Sequence, residues 1–364
     1  MQPSLHPALA GDREFQRFLE LSAQLGQDIE RTQGAGGNTS IKHGSVLWVK
    51  ASGTWLAHAL ERDIMVPVET APLLAALRSG DPRAEKATDF IVAHLNTNGL
   101  RPSIETSFHA VLPQPVVAHF HCVNTLALAV VERREALISR RMSEGVPDLR
   151  FRFIPYRRPG TALAVEIDRV AEERPDILFL FNHGIIVAGD TVDIVSERIE
   201  RVTAALALPV APAVCRPDLG WLEAKAQASG FRLPEDTAVH ATALNPHATA
   251  VAAGGSLYPD HVIFLGAHIG TVDEGRSISD VLAAFSAKGL PAPKMLLAPD
   301  RGVLLADSVT AGGEVMARCL AEVTTRIPAG EALCYLSAAD EYELSHWEAE
   351  QYRQALDRRS GSPR

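Results

Sequence analysis

The residues best equipped for chemistry sit in one stretch, residues 102–122, PSIETSFHAVLPQPVVAHFHC. His119 and His121 end a β-branched run through Val116 and Val117. Strand side chains alternate faces, so two histidines separated by one residue project together. Two imidazoles held side by side on a stiff strand make half of a zinc site. A catalytic zinc needs a third protein ligand and an open position. His183 lies in Asn182-His183-Gly184, a tight turn between the two apolar runs of DILFLFNHGIIVAG, where it can reach an adjacent sheet. Glu105 stands just ahead of a short helix carrying Phe108 and His109. Its carboxylate fits two roles, a charge at the positive end of a helix dipole or a general base beside a metal. Spacing alone does not separate them.

These groups need elements to hold them. Phe15, Phe18, Leu21, Leu25 and Ile29 recur at intervals of three and four, which predicts an amphipathic helix over residues 13–31. It runs into Gly34-Ala35-Gly36-Gly37-Asn38-Thr39-Ser40, where glycines allow a tight turn whose successive N–H groups can cradle an anion. The loop lacks the sixth-place glycine of a dinucleotide fingerprint and the GK[ST] ending of a Walker loop. A strand over residues 45–50 leads to a second small-residue loop, Ala51-Ser52-Gly53-Thr54. Pro67 and residues 79–82, SGDP, are turn signals, and residues 84–97 read as a helix with His94 as a surface or packing histidine. Residues 190–202 read as another helix, with Val195, Ile199 and Val202 on one face and Asp190 or Thr191 as its cap.

Composition narrows the class. A chain of 364 residues can bury a sizeable core and form more than one domain. With 35 Lys+Arg against 44 Asp+Glu and no long basic run, nucleic acid is not the expected partner. No run approaches the ~18 apolar residues of a membrane span. The first residues, MQPSLHPALAGDREF, show neither a basic n-region nor an apolar h-region, so no signal peptide is expected. The four cysteines are far apart and form no CxxC, which argues against a disulfide framework. The expectation is a soluble cytoplasmic protein.

Five blocks in order carry a resemblance: GGNTS at 36–40, ASG at 51–53, PSIE at 102–105, HFH at 119–121 and NHG at 182–184. A weaker sixth is Ile154-Pro155-Tyr156 with Gly160-Thr161. Over residues 10–210 the chain resembles the class II aldolase/adducin family, and within it the zinc-dependent fuculose-phosphate and rhamnulose-phosphate aldolases. The resemblance implies an α/β/α sandwich on a mixed, largely antiparallel sheet, in a domain spanning 1–210. It implies that His119, His121 and His183 bind one Zn²⁺ per chain and that Glu105 is the catalytic carboxylate. It also implies that Gly37, Asn38, Ser52, Gly53 and Ser103 hold a substrate phosphate, and that the protein is a homotetramer. The implied reaction is aldolase-type cleavage of a ketose or ketose phosphate through a metal-stabilised enediolate. The same scaffold also carries epimerases, decarboxylases and dehydratases of sugar phosphates, and the non-catalytic binding protein adducin. Ile104 replaces a second serine of the phosphate-binding aldolases, and the fuculose-phosphate enzymes' tyrosine proton donor has no counterpart in residues 136–142. The gap between Glu105 and His119 is also several residues shorter than in that enzyme.

The remainder, residues 211–364, reads as a smaller α/β domain of unknown role, with the proline-rich stretch 209–217 as a linker or domain edge. It resembles the extension that follows the aldolase domain in rhamnulose-phosphate aldolase/alcohol dehydrogenase fusions. Residues 257–264 read as a turn into a strand, with His261 weighed as a second-site ligand against a structural hydrogen bond. Residues 293–306 read as a hairpin around Asp300-Arg301-Gly302. Helices are expected over 311–326 and 337–357, the latter carrying Tyr342, His346, Trp347 and Tyr352 toward a core or subunit interface.

Overall fold

Short β-branched runs separated by glycine turns build the sheet that dominates the first part of the molecule. The computed structural model describes residues 9, 11–97 and 99–347. Strands β1 (Asn38–His43), β2 (Val46–Lys50) and β3 (Met65–Glu69) form an antiparallel meander. They are followed by β4 (Val116–Phe120), β5 (Phe151–Ile154), β6 (Ile177–Leu180) and β7 (Gly184–Gly189). The seven lie in the order β3-β2-β1-β4-β7-β6-β5, every neighbouring pair antiparallel except β5 with β6. The central strands β4 and β7 are buried along their whole length, as expected of a sheet covered on both faces.

Strand β1 shows the two covers directly. Thr39 points to one face, where its hydroxyl meets Ser22 at 2.7 Å on the helix Arg13–Gln27. Ser40 points to the other, where its hydroxyl meets His109 at 2.7 Å on the helix Thr106–Val111. On the Thr39 face, Arg13–Gln27 packs with Val192–Ala205. On the Ser40 face, Thr106–Val111 packs with Thr70–Ser79 and Thr161–Ala171 over a core that includes Leu73, Phe108, Val117, Ile167 and Ile186. The result is the α/β/α sandwich on a largely antiparallel sheet. Caps close the outer helices: Asp12 accepts from the Phe15 N–H at 3.0 Å, and Thr191 from the Ile194 N–H at 3.3 Å.

The chain divides into two compact units, one running through Thr125 and resuming at Glu135–Ala207, the other made of Leu126–Arg134 and the chain from Leu208. The second unit has its own sheet, β8 (Phe231–Arg232), β9 (Gly270–Thr271), β10 (Met295–Ala298) and β11 (Gly302–Ala306), ordered β8-β11-β10-β9. Strands β10 and β11 are the antiparallel hairpin expected around Asp300. The sheet core is formed by residues such as Leu222, Phe231, Val281, Leu296 and Leu304. A helix follows at Ala311–Thr324. No disulfide occurs among the described residues, and no helix among them is long and apolar enough to cross a membrane.

Four expectations need correction. Residues 84–97 do not form an α-helix. They make two 3₁₀ turns, Pro82–Glu85 and Ala87–Phe90, whose buried side chains Ala84, Ala87 and Phe90 recur every three residues, the period of that tighter helix. Ile91 then bridges to Val68 of β3. Residues 257–264 do not enter a strand; His261–Leu265 is a buried π-helical turn, and a short, continuously apolar run carries no periodicity to tell the two apart. His261 accepts a structural hydrogen bond from the Leu257 N–H at 3.3 Å. The first helix stops at Gln27, not residue 31. The last described helix is Ala338–His346, not residues 337–357, and Tyr342 on it is 65% exposed and stacked on His346. Tyr352 lies outside the described residues.

Candidate metal centre

The centre forms where β4 ends between β1 and β7. Pairing of β1 with β4 sets Asn38 opposite His119, and pairing of β4 with β7 sets Ile186 opposite His119. His119 lies on the strand and His121 just past its end. Their Nε2 atoms are 3.1 Å apart. The His121 carbonyl is held by the Gln33 side-chain amide at 3.2 Å. His183 comes from the turn between β6 and β7, in which Asn182 adopts a left-handed conformation, φ 53°, that asparagine tolerates better than most residues. The three rings lie with centroids 4.9 to 5.4 Å apart. One ring nitrogen from each falls within 4.8 Å of the other two, and all three residues are buried.

Gly184 permits this approach. A Cβ there would lie 2.7 Å from the Phe120 carbonyl oxygen and 3.0 Å from the His121 ring. Gly184→Ala is therefore expected to weaken metal binding by about 10–100-fold, the range for disturbed supporting contacts. A metal titration, with circular dichroism to verify folding, checks this; unchanged affinity would refute it. Gly37 plays a matching part on the other side, with φ +61° and its missing Cβ only 2.8 Å from the His119 carbonyl oxygen.

Glu105 occupies the N-cap position of Thr106–Val111, yet its side chain makes no capping hydrogen bond. The carboxylate turns inward. Oε2 accepts from the Asn38 amide at 2.7 Å and lies 3.5 Å from His119 Nε2, while Oε1 lies 3.2 Å from His183 Nε2. Burial works against the charged carboxylate, but the facing His119 and His183 rings and the Asn38 amide outweigh it and hold Glu105 well below the usual carboxylate range. Burial likewise pushes His119 well below the ordinary imidazole value, against the pull of Glu105.

The donor set fits a cation. His119 Nδ1 is 3.0 Å from the Ile185 carbonyl oxygen, so it carries the proton and leaves a lone pair on Nε2. That lone pair points toward both His121 Nε2 and the Glu105 carboxylate. Glu105 Oε1 is buried, accepts no hydrogen bond among the described residues, and lies 3.2 Å from His183 Nε2. Several acceptors thus converge with few protons between them, and a cation satisfies them together. The Ile185 carbonyl is the outer partner that metal-binding histidines need to fix their tautomer.

The residues expected to hold a phosphate come from three segments laced together. The Ser52 N–H donates to the Arg101 carbonyl at 2.9 Å, and the Ser103 N–H to the Lys50 carbonyl at 3.0 Å. Gly53 turns the loop with φ +74°. Lys50 Nζ bonds the Ala35 and Thr54 carbonyls, at 2.9 and 2.6 Å, and so ties the first glycine loop to the second. Asn38 and Ser103 also meet at Glu105: the Asn38 amide bonds Ser103 Oγ at 3.1 Å as well as the carboxylate. Sequence reasoning overlooked Lys50, Gln33, Ser40 and His109. The signal for His109 was its place four residues after Glu105, on the same helix face.

Fold and site together define a class, an α/β/α domain with a buried three-histidine centre beside a carboxylate. Residues 16–208 match the class II aldolase and adducin N-terminal domain, and the chain belongs to that family. Among curated proteins it is 26% identical over 180 residues to the uncharacterized oxidoreductase YuxG of Bacillus subtilis, a match covering 46% of this chain and 25% of that protein. The chain thus spans about a quarter of the length of that relative. Among solved structures, the N-terminal class II aldolase domain of a conserved protein from Thermoplasma acidophilum is 23% identical, with 54% of this chain and 92% of that one covered and a TM-score of 0.46. The L-fuculose-1-phosphate aldolase of Thermus thermophilus is 14% identical, with 52% and 92% covered and a TM-score of 0.34.

Proposed function

We propose that the chain is a zinc-dependent aldolase-type lyase that cleaves a ketose or ketose phosphate. One observation carries the reading: a buried carboxylate within 3.5 Å of two of three converging histidines, turned away from the helix it begins. His119, His121 and His183 would hold one zinc per chain, with residues 1–210 as the catalytic domain and residues 211–364 as an extension. Assembly is read as a homotetramer, on the resemblance to the aldolases. When bound, the metal supplies Lewis-acid stabilisation of negative charge growing on a substrate oxygen.

The rest of the work falls to the chain. In cleavage the C4 hydroxyl loses its proton and the C3–C4 bond breaks. Its electron pair stays with C3 and spreads to the C2 oxygen, an aldehyde leaves from C4, and a proton returns to C3. Glu105 is placed to move that proton, its carboxylate oriented by the Asn38 amide. The loops at Gly37 and at Ser52-Gly53, with Ser103, anchor the far end of the substrate and orient it.

Zinc-loaded protein is expected to release aldehyde from one or more ketose 1-phosphates, read by coupled reduction with NADH, and inorganic phosphate at millimolar levels is expected to compete. Solvent-deuterium exchange at C3 without aldehyde release would move the assignment to another reaction on this scaffold. Neither exchange nor cleavage across a broad panel would favour a binding role.

A further inference from the structure

We infer that His109 is a positioning residue for Glu105, acting through the Asn38 amide and itself fixed by Ser40. The inference rests on the proton-moving role proposed for Glu105. Hydrogen-bond direction carries it, and each step follows from the one before. Asn38 presents its NH₂, which only donates, to Glu105 Oε2 at 2.7 Å. The same NH₂ reaches Ser103 Oγ at 3.1 Å. The amide oxygen, Oδ1, therefore faces away, toward His109 Nε2, with which it is in hydrogen-bond contact. Nε2 must then carry the ring proton, which leaves Nδ1 as an acceptor. The Ser40 hydroxyl, 2.7 Å from Nδ1, is its donor.

The reverse arrangement is costly. A proton on Nδ1 would leave the Nε2 lone pair against Asn38 Oδ1, or else flip the amide and press Oδ1 against the carboxylate. Either sets two buried acceptors face to face. The arrangement is also rigid. Asn38 and Ser40 share one face of β1 through the two-residue strand period, and Glu105 and His109 share one helix face through the four-residue spacing. All four side chains are buried. The His109 ring stacks on Phe108, with centroids 4.6 Å apart, and Phe108 meets the His119 ring edge-on. One consequence concerns specificity. The Asn38 side chain is committed to Glu105, so an anionic substrate group is left to the Ser52 and Ser103 hydroxyls and the loop amides.

Two measurements on the full chain test this. Long-range ¹⁵N–¹H spectra of the imidazoles, with His109 assigned by its loss in His109→Gln, are expected to show the neutral Nε2–H tautomer with and without zinc. An Nδ1–H ring at His109 overturns the proposal and requires no variant kinetics. In turnover assays, His109→Leu is expected to lower kcat about 10–100-fold with KM shifted less than about threefold and one metal per chain retained. His109→Gln, which keeps a donor and an acceptor, is expected to stay within about threefold of wild type. Equal losses in the two variants, or an unchanged kcat in His109→Leu, overturn the proposal. Failure of the Glu105 role shows separately, as a Glu105→Gln variant that keeps wild-type turnover. Failure of the His109 role shows as an inactive Glu105→Gln beside a fully active His109→Leu.

Discussion

Glu105→Gln is expected to keep one metal per chain and to lose about a thousandfold in kcat, in the middle of the range for a positioned general acid–base. The substitution is close to isosteric, and its amide oxygen can still accept from Asn38 Nδ2, now 2.7 Å from the carboxylate. Two of the three histidines have a hold apart from Glu105: His119 is fixed by the Ile185 carbonyl and the His121 backbone by Gln33. What disappears is an ionised group able to take up and return a proton. KM should change little, because the loops that would anchor the substrate are laced by backbone bonds and by Lys50. Turnover near the wild-type rate would remove Glu105 from the mechanism. Loss of metal along with activity would make it a supporting group for the cation.

His119→Ala and His183→Ala are each expected to leave the purified protein nearly metal-free and inactive, read by mass-spectrometric metal analysis. Removing one of three converging ligands should cost more than the ~10–100-fold in affinity that outer partners alone are worth. The two variants probe different supports. His119 is fully buried in the sheet, edge-on to Phe108, so its loss also opens a cavity and leaves the Ile185 carbonyl short of a donor. His183 sits on a turn and should cost less stability for the same loss of metal. A wild-type chain that stays metal-free after zinc is supplied, or variants that bind a full equivalent, would defeat the metal-centre reading and favour a binding protein on this fold.

The pairing of His119 with His121 was legible because the strand period places alternate residues together whatever the partner strands are. The short helix after Glu105, a cap at Asp190 or Thr191 and the hairpin at Asp300 were legible for the same kind of reason, each encoded within a few consecutive residues. Residues 84–97 were misread because a run of small and apolar residues suits an α-helix as well as two 3₁₀ turns; their packing at Ala84, Ala87 and Phe90 decided between them. The π-helical turn at His261–Leu265 was lost in the same way, since a wholly buried run shows no pattern.

The role of Glu105 illustrates the division most sharply. Read alone, its carboxylate suited a helix start as well as a metal site. Its lack of a capping bond and its contacts with Asn38, His119 and His183 come from three separate segments. By itself, then, the sequence determined which residue types are present, their alternation on strands and their spacing along helices, because those depend on local backbone geometry. Only the tertiary structure decided that Asn38 lies opposite His119, that Gly184 lets the His183 turn close on the other two histidines, and that His109 stands behind Asn38. Strand register and turn docking are set by side-chain packing between segments far apart in the chain, and no local period encodes them.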